Sequence, residues 1–223
     1  DIPSKLDDAK SIDNFVKSNQ DKPVVVIQGL GFVGSVMSLV CANALHQDYA
    51  VIGIDLPTKD CYWKICSINE GVFPVISSDK KVEEFYQAAL EKKNLYATYD
   101  SHAYKYADVI IVDINLDVNK ESFDGSDYID YSVDLNGFKS AVSSIGRNCK
   151  EDVLVLIETT VPPGTTNIAK DILKKELEFR ELDSSKIKIG HSYERVMPGP
   201  NYIDSIQNFY RVYSGIDQES ADF

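Results

Sequence analysis

Runs of aliphatic residues recur along the chain and alternate with longer amphipathic stretches. The first run, at residues 23–27, reads Pro-Val-Val-Val-Ile, which is typical of a strand buried on both faces. Further strands are predicted at residues 49–55, 109–112, 153–157, 187–189 and 209–213, with a weaker pattern at 95–98. Helical periodicity predicts helices at residues 33–46, 79–93, 131–148 and 165–182.

Strands that alternate with helices of this length predict an α/β fold, a doubly wound and mostly parallel sheet of the Rossmann-like kind. Three stretches depart from the alternation. Residues 56–78 predict an ordered loop with a short helix, and residues 117–130 an acidic loop directly after a strand, where open α/β sheets bind ligands. Residues 1–22 predict one amphipathic helix that packs through Leu6, Ile12, Phe15 and Val16.

The charge balance narrows the classes of partner. Of 223 residues, 23 are Lys or Arg and 35 are Asp or Glu, a formal net charge of -12. Such a chain lacks the basic surface of a nucleic-acid-binding protein and is not attracted to an anionic membrane. Residues 24–45 contain no charged residue, but their glycines and polar side chains favour a strand, a turn and a helix over a membrane span.

The cysteines and histidines show no ligand spacing. There is no Cys-x-x-Cys pair, so we predict reduced thiols, a cytoplasmic location and no metal site. His191 is the histidine nearest to the candidate site described below, and a structural role is favoured for it. The cysteines are Cys41, Cys61, Cys66 and Cys149, and all four are interpreted as structural.

The most informative segment is Gly-Leu-Gly-Phe-Val-Gly at residues 29–34. It follows a predicted strand and opens a predicted helix, and Asp55 lies 21 residues after Gly34, at the end of the next strand. In such a loop the first glycine permits a tight turn, the second lets the backbone approach a diphosphate, and the third lets helix and strand pack closely. The predicted dinucleotide contacts are therefore Gly29, Leu30, Gly31, Phe32, Val33, Gly34 and Asp55.

The residue at position 55 favours NAD over NADP. A carboxylate accepts hydrogen bonds from both ribose hydroxyls and repels a 2′-phosphate. Lys59 lies close enough in sequence to weaken this preference. The alternative interpretation is a glycine turn that only packs a helix against a strand.

Two later segments carry reactive side chains at predicted strand ends. Residues 157–166 read Ile-Glu-Thr-Thr-Val-Pro-Pro-Gly-Thr-Thr, in which the prolines stiffen a loop and Thr165 or Thr166 can cap the next helix. Residues 193–200 read Tyr-Glu-Arg-Val-Met-Pro-Gly-Pro. Taken alone, the first is equally well explained as a strand–helix junction, and the Glu-Arg pair of the second as a surface ion pair.

Together these segments resemble the UDP-glucose/GDP-mannose dehydrogenase family of NAD-dependent nucleotide-sugar 6-dehydrogenases. The glycine-rich loop, the Ile-Asn-Glu-Gly stretch at residues 68–71, the Thr-Thr-Val-Pro-Pro-Gly-Thr-Thr segment and the Glu-Arg-Val-Met-Pro-Gly segment occur in the family's order. The resemblance extends from about residue 23 to residue 217. The last two segments look more like the N-acetylated branch, such as UDP-N-acetylmannosamine 6-dehydrogenase, than the UDP-glucose branch.

The resemblance implies a chemistry. Family members oxidise the sugar C6 alcohol to a carboxylate in two hydride transfers to NAD, through a thiohemiacetal and a thioester on a cysteine. The family's essential glutamate falls on Glu194, a proton- or water-handling residue, and the threonine before the Val-Pro pair falls on Thr160, which would bind the catalytic water or NAD. Glu194, Arg195, Val196 and Met197 would line the sugar-nucleotide site, and Asn115 would contact NAD.

The chain departs from the family pattern at three places. Where the family has Val-Pro-Thr-Pro, residues 114–117 read Ile-Asn-Leu-Asp, so a threonine hydroxyl is absent there. Tyr193 replaces the proline before the essential glutamate. The family's nucleophilic cysteine stands in a Gly-Gly-x-Cys-x-Pro context in a second domain, and none of the four cysteines has these neighbours.

The expected organisation is an amino-terminal extension at residues 1–22, an NAD-binding Rossmann domain at 23–217, and at 218–223 the start of the helix that leads to the second domain. The whole enzyme is expected to be a homodimer that acts on a UDP-sugar, a UDP-N-acetylhexosamine first and UDP-glucose as the alternative. The chain alone is expected to bind NAD without turnover. A non-catalytic dinucleotide-binding module is the competing hypothesis. A complete single-hydride dehydrogenase is disfavoured, because the chain has no Tyr-x-x-x-Lys pair.

Overall fold

The computed structural model describes residues 2–116, 118–123 and 127–223. The helices are α1 (Lys5–Ser18), α2 (Phe32–Ala42), α3 (Lys59–Asn69), α4 (Lys80–Lys92), α5 (Asn136–Asn148), α6 (Thr165–Phe179), α7 (Tyr202–Gln207) and α8 (Gln218–Asp222), with a 3-10 helix at Ser101–Tyr106. The strands are β1 (Val24–Gln28), β2 (Ala50–Ile54), β3 (Leu95–Thr98), β4 (Val109–Val112), β5 (Val118–Phe123), β6 (Asp127–Val133), β7 (Leu154–Ile157), β8 (Lys188–Ser192) and β9 (Tyr213–Gly215).

The main sheet has the strand order β3-β2-β1-β4-β7-β8-β9. Every neighbouring pair from β3 to β8 is parallel, and β9 pairs antiparallel with β8. The chain winds outward from β1 in one direction and then from β4 in the other, so the order reverses between these two strands. The predicted α/β fold with a doubly wound, mostly parallel sheet is confirmed.

The central strands divide their side chains between two layers of helices. Along β1, Val24 and Val26 join a cluster that contains residues of α5 and α6, whereas Val25 and Ile27 join one that contains residues of α2 and α4. This alternation has the two-residue period of a strand, and both faces of β1 are buried. The two layers hold the strand ends in place at the edge where β1 meets the glycine-rich loop.

The region between β4 and α5 corrects the prediction. Much of the stretch predicted as an acidic loop, residues 117–130, is an antiparallel hairpin of β5 and β6, and its residues 117 and 124–126 lie outside the described residues. The helix predicted from residue 131 begins only at Asn136, because residues 131–133 belong to β6. The carboxylate of Asp134 then accepts a hydrogen bond from the amide of Asn136 at 2.8 Å, a local turn that separates strand from helix.

Of the two helices between β1 and α4, one differs from the prediction and one agrees with it. Helix α2 ends at residue 42 and not at 46, because the side chain of Asn43 donates hydrogen bonds to the carbonyls of Leu39 and Phe85, both at 2.9 Å. Helix α3 is the short helix that the sequence predicts within the loop at 56–78. Near its end, the amide group of Asn69 bonds both backbone groups of Ala97 on β3, at 2.8 and 2.9 Å, which covers this edge of the sheet.

The start of α6 corrects the predicted cap. Gly164, with a φ of 89°, occupies the N-cap position, so neither Thr165 nor Thr166 caps the helix. The Thr165 hydroxyl instead donates a hydrogen bond backward to the carbonyl of Pro162 at 2.8 Å. Helix α6 ends at residue 179 and not at 182.

The strand predicted at 209–213 is largely wrong. Only Tyr213 of that stretch belongs to β9, and Phe209 and Tyr210 are 41% and 95% exposed. Arg211, between them and β9, turns inward and forms an ion pair with the buried Glu158. The aromatic residues of this stretch therefore fit the sequence pattern of a strand, but no sheet face is available to bury them.

Helix α1 packs beside β3 and the 3-10 helix. Ile12 is fully buried, and Phe15 and Val16 pack against the same cluster, as the amphipathic pattern predicts. Leu6 was expected to join them but is 66% exposed. The apolar face of α1 is therefore narrower than the sequence pattern indicates.

Polar contacts tie α1 to the residues that follow β3. Asp8 is buried and accepts a hydrogen bond from the hydroxyl of Thr98, and the hydroxyl of Tyr99 donates to the carbonyl of Pro3 at 2.8 Å. Burial raises the pKa of Asp8, and the bond from Thr98 acts in the opposite direction.

Within the described ranges, no helix combines the length and apolarity needed to cross a bilayer.

Replacement of Ile12 by alanine tests the packing of α1. Because this side chain is fully buried, Ile12→Ala should lower the free energy of unfolding by about 2–4 kcal/mol. Leu6→Ala on the same helix is the matched control and should change it by less than about 0.5 kcal/mol. Urea denaturation measures both, and equal losses would contradict this packing.

Candidate functional site

The glycine-rich loop joins β1 to α2 and lies against the end of β4. Gly29 has a φ of 105°, and a Cβ there would lie 2.2 Å from the carbonyl oxygen of Asp113. A Cβ on Gly34 would lie 1.9 Å from the carbonyl oxygen of Gly29. Both positions therefore exclude a side chain. At Gly31, in contrast, a Cβ would meet nothing within 4 Å, so the space in front of this residue is open.

The start of α2 has the features of an anion site. Gly31 is the N-cap residue, and the unpaired amides of the first helical turn, with the helix dipole, attract phosphate. Residues 29–42 contain no charged side chain, so the attraction comes from the backbone. The side chain of Leu30 is buried below the loop, whereas Phe32 is 49% exposed. The open space at Gly31 fits the diphosphate of a dinucleotide.

Asp55 directly follows β2, and its carboxylate is held by three groups. It accepts hydrogen bonds from the amides of Leu30 and Leu56, at 3.3 and 2.8 Å, and it forms an ion pair with Lys64 on α3. The side chains of Asp55 and Lys64 are only 10% and 16% exposed. Lys59, the lysine considered from the sequence, is exposed at the start of α3. Lys64, and not Lys59, is therefore the cation that pairs with Asp55.

A cavity of about 570 Å³ opens in front of Asp55, and we call it the adenosine-side cavity because Asp55, the predicted ribose-binding acid, borders it. The loop and the end of β2 form one wall, and small residues of α5 form another. The residues that border it include Gly29, Gly31, Leu56, Cys61, Lys64, Tyr99, Tyr104, Asp113, Asn115, Gly137, Ser140, Ala141 and Ser144. Asn115, a predicted NAD contact, is thus placed beside the loop.

A second cavity of about 420 Å³ lies on the other side of the loop, and we call it the catalytic-side cavity. It brings together the predicted Thr160 and Glu194 with the start of α2. Its lining residues are Gly31, Phe32, Val33, Asp113, Ile114, Asn115, Leu116, Thr159, Thr160 and Glu194. Gly31, Asp113, Ile114 and Asn115 line both cavities, so the two spaces adjoin at the end of β4.

Backbone contacts position the two predicted catalytic residues. The hydroxyl of Thr159 accepts from the amide of Ile114 at 2.8 Å and donates to the carbonyl of Val112 at 3.1 Å, which fixes the segment that presents Thr160. The amide of Glu194 donates to the carbonyl of Glu158 at 3.1 Å, so the loop after β8 is held beside the end of β7. Thr160 is exposed toward the cavity, and Glu194 is half-buried.

A buried ion pair between Glu158 and Arg211 lies next to this region. Glu158 is 1% exposed and its carboxylate contacts the guanidinium of Arg211, whose side chain is 19% exposed. Burial lowers the pKa of Arg211, and the carboxylate of Asp113 acts in the opposite direction. Removal of one partner of such a pair leaves a buried uncompensated charge, which typically costs about 3–5 kcal/mol.

Two carboxyl groups in the catalytic-side cavity are shifted toward their neutral form. Burial raises the pKa of Asp113 to about 7, with the charge of Glu194 adding to the shift and that of Arg211 opposing it. Burial also raises the pKa of Glu194, whose carboxylate accepts a hydrogen bond from the amide of Val196. Acids with raised pKa values that face a cavity are typical of proton-handling sites.

The predicted sugar-nucleotide contacts are only partly brought to the cavity. Arg195 and Met197 are exposed, Val196 packs against the core beside α2, and none of the three lines either cavity. Their role stays a prediction. The amide of Met197 donates to the Ser205 hydroxyl at 3.1 Å, which fixes the turn after Glu194.

The remaining candidates from the sequence lie mostly away from the cavities. Burial raises the pKa of Cys41 to about 12 and that of Cys149 to about 11, so both are thiols at neutral pH. Cys61 borders the adenosine-side cavity, and His191 borders neither. In the part of the chain that the structure describes, no group of three His, Cys, Asp or Glu side chains is arranged to hold a metal ion.

The fold and the site together define the dinucleotide-binding domain of a dehydrogenase. Residues 23–222 match the NAD binding domain of the UDP-glucose/GDP-mannose dehydrogenase family. The chain belongs to this family and is its NAD-binding domain. The glycine-rich loop, with Asp55 at the end of β2, is the part of the fold that fits NAD.

The relatives that match this chain are longer than it. The chain is 31% identical over 206 residues to the UDP-N-acetyl-D-mannosamine dehydrogenase of Methanococcus vannielii, an alignment that covers 90% of this chain and 40% of that protein. It is 24% identical over 204 residues to the UDP-glucose 6-dehydrogenase of Rickettsia prowazekii, with 87% and 43% covered. The chain thus spans about two fifths of the length of these relatives.

Solved structures agree on the fold. The NDP-N-acetyl-D-galactosaminuronic acid dehydrogenase of Methanosarcina mazei superposes with a TM-score of 0.78 at 23% identity, covering 95% of this chain and 42% of that one. The UDP-D-ManNAc dehydrogenase of Pyrococcus horikoshii superposes with a TM-score of 0.73 at 23% identity, covering 89% and 42%. At this identity the likeness concerns the fold alone.

Two glycine substitutions should separate folding from cofactor binding. Gly31→Ala adds a methyl group to open space, so the melting temperature should stay within about 2 °C of the wild type while NAD affinity falls more than about tenfold, because the backbone no longer approaches the diphosphate. Gly34→Ala places a methyl group on the Gly29 carbonyl and should lower the free energy of unfolding by about 2 kcal/mol or more. Thermal melts and calorimetry measure both. Unchanged NAD affinity in Gly31→Ala would refute the location of the diphosphate.

Proposed function

We propose that this chain is the cofactor-binding half of a nucleotide-sugar 6-dehydrogenase, which oxidises the C6 alcohol of a UDP-sugar to a carboxylate with two NAD. The observation that carries this proposal is the meeting of Thr160 and Glu194 in one cavity that also borders the glycine-rich loop. Bound NAD supplies hydride acceptance. The side chains of the protein supply the remaining parts of the proposed chemistry.

Glu194 is proposed as the proton-handling residue. Removal of hydride from an alcohol also releases a proton, and the formation of a carboxylate from an aldehyde consumes water. A half-buried carboxyl group whose pKa is raised by burial accepts a proton more readily than an exposed glutamate does. Thr160 is proposed to orient water or the cofactor through its exposed hydroxyl, since its backbone is fixed by the bonds of Thr159.

The substrate is proposed to be a UDP-N-acetylhexosamine bound in part by Glu194, Arg195, Val196 and Met197. Two observations support this choice over UDP-glucose. The segments at residues 159–166 and 194–199 look more like those of the N-acetylated branch. The relative from Methanococcus vannielii, at 31% identity, is named for UDP-N-acetyl-D-mannosamine, whereas the one named for UDP-glucose is 24% identical.

The organisation of the whole protein is also a proposal. Residues 23–217 form the NAD-binding domain, residues 1–22 an extension that contains α1, and residues 218–223 the beginning of a connection to a second domain. That domain would provide the nucleophilic cysteine and a homodimer contact, so the chain alone would bind NAD without turnover. We place the enzyme in the cytoplasm.

The ion pair of Asp55 and Lys64 should set the choice between NAD and NADP. Asp55→Asn removes the charge that repels a 2′-phosphate and leaves Lys64 unpaired, so the ratio of the Kd for NADP to that for NAD should fall by about tenfold or more. Lys64→Met should raise the same ratio. Calorimetric titration with both cofactors measures the two variants, and changes of the same sign would contradict the arrangement.

Oxidation of the sugar is tested on the full-length protein that contains this chain. We expect two NADH per UDP-N-acetylmannosamine, followed at the absorbance of NADH, and a lower kcat/KM for UDP-glucose. Glu194→Gln should lower kcat by about 10²–10⁴-fold, while the Kd for NAD at about pH 6 stays within about twofold. Glu91→Gln on the exposed face of α4 is the matched control and should leave kcat unchanged.

Three results would change the proposal. A preference for UDP-glucose would retain the reaction and replace the substrate. Tight NAD binding without NADH formation from any UDP-sugar would favour the non-catalytic dinucleotide-binding module. Full activity of Glu194→Gln would remove Glu194 from the mechanism.

A further inference from the structure

Asp113 stands where the two cavities meet. It follows β4 directly, its amide donates to the carbonyl of Gln28 at 2.8 Å, and its own carbonyl touches Gly29 so closely that no Cβ fits between them. Its side chain borders both the adenosine-side and the catalytic-side cavity. Its Oδ2 atom is buried and has no hydrogen-bond partner among the residues that the structure describes.

The groups that face Asp113 neutralise it only in part, because the charge of Arg211 favours its ionised form and that of Glu194 opposes it. Glu194, from the loop after β8, adds a like charge, and the hydroxyl of Tyr202 on α7 donates to the carbonyl of Phe32 at 2.6 Å. Arg211 is the cation of this region, and its guanidinium already contacts Glu158. The glycine-rich loop and α2 provide no charged side chain, and the thiol of Cys41 on α2 is protonated at neutral pH.

An ionised carboxylate at this position would be unfavourable for binding of the cofactor's diphosphate. A Rossmann-type loop holds the diphosphate of its cofactor at the helix N-terminus, and Asp113 borders the open space at Gly31 where that N-terminus lies. A negative charge there would repel the diphosphate in a region of low dielectric constant. A neutral carboxylic acid carries a hydrogen atom that can be donated to a phosphate oxygen.

We propose that Asp113 is a further cofactor-binding residue, which enters the complex as a neutral carboxylic acid and donates its hydrogen to the diphosphate of NAD. Because the buried Oδ2 atom has no hydrogen-bond partner among the described residues, no hydrogen bond to this atom favours the ionised form of the carboxyl group. The inference depends on NAD binding by the domain and not on the proposed oxidation of a sugar. Asp113 thereby links cofactor affinity to pH.

The direction of this link follows from the protonation states. The pKa of Asp113 is raised to about 7, so below this pH the residue is neutral and binds NAD without a proton. Above it, the free protein must take up one proton for each NAD that binds. The Kd for NAD should therefore be constant below about pH 7 and rise by up to about tenfold per pH unit above it.

The test measures the Kd for NAD by calorimetry between about pH 6 and about pH 9, at constant ionic strength. Asp113→Asn, which has nearly the same shape, should abolish the rise. Glu194→Gln is the matched control in the same cavity, and it should move the onset of the rise to lower pH, because the charge of Glu194 helps to keep Asp113 neutral. At pH 8, buffers of different ionisation enthalpy should report proton uptake in the wild type and none in Asp113→Asn.

Several outcomes would overturn the proposal. NAD that binds more tightly as the pH rises would mean that an ionised Asp113 accepts a bond from a ribose hydroxyl. A rise that persists in Asp113→Asn, or that Glu194→Gln abolishes, would assign the titration to another group. A change in stability of Asp113→Asn without a change in proton uptake would make Asp113 a structural partner of Arg211. If Asp113→Asn does not fold, proton uptake by the wild type and the shift in Glu194→Gln still decide, and absence of NAD binding at every pH refutes the proposal outright.

Discussion

The contact between the glycine-rich loop and the end of β4 sets the geometry of the whole site. Because no side chain fits between Gly29 and the Asp113 carbonyl, or between Gly34 and the Gly29 carbonyl, the loop, β4 and α2 are locked together by backbone alone. This contact places the open helix N-terminus beside residues 113–115 and joins the two cavities at one point. The same contact determines how Asp55, which borders the adenosine-side cavity, and Glu194, which borders the catalytic-side cavity, lie relative to the helix N-terminus.

Two acidic residues, Asp113 and Glu194, line the catalytic-side cavity, and Glu158 lies buried near them. Glu158 is paired with Arg211, the carboxylate of Glu194 receives a backbone amide, and burial shifts Asp113 toward its neutral form. The attraction for phosphate comes from backbone dipoles instead of lysine or arginine side chains. As a result, α2 has no basic side chain that could pair with the acidic groups beside the helix N-terminus.

The sequence predicted those features that depend on local sterics. Glycines with an acid at the next strand end identify the loop, whereas Thr160 and Glu194 follow from the resemblance of their segments to the family's motifs. Lys64 was missed because the short helix predicted within residues 56–78 had no assigned bounds, and only the folded helix returns a residue nine positions later to Asp55. The hairpin of β5 and β6 was missed because residues 131–133 fit a helix or a strand equally well until a partner strand is known.

Helix α1 lies outside the residues that match the family, yet it reaches the cofactor site. Tyr99, which borders the adenosine-side cavity, bonds the carbonyl of Pro3, and Thr98 bonds Asp8. A domain boundary drawn at residue 23 would therefore cut through the support of a cavity wall. Since linkage is reciprocal, any preference of the cofactor for this arrangement of Tyr99 also holds α1 in place. Removal of the amino-terminal segment would take away two hydrogen bonds that support this wall.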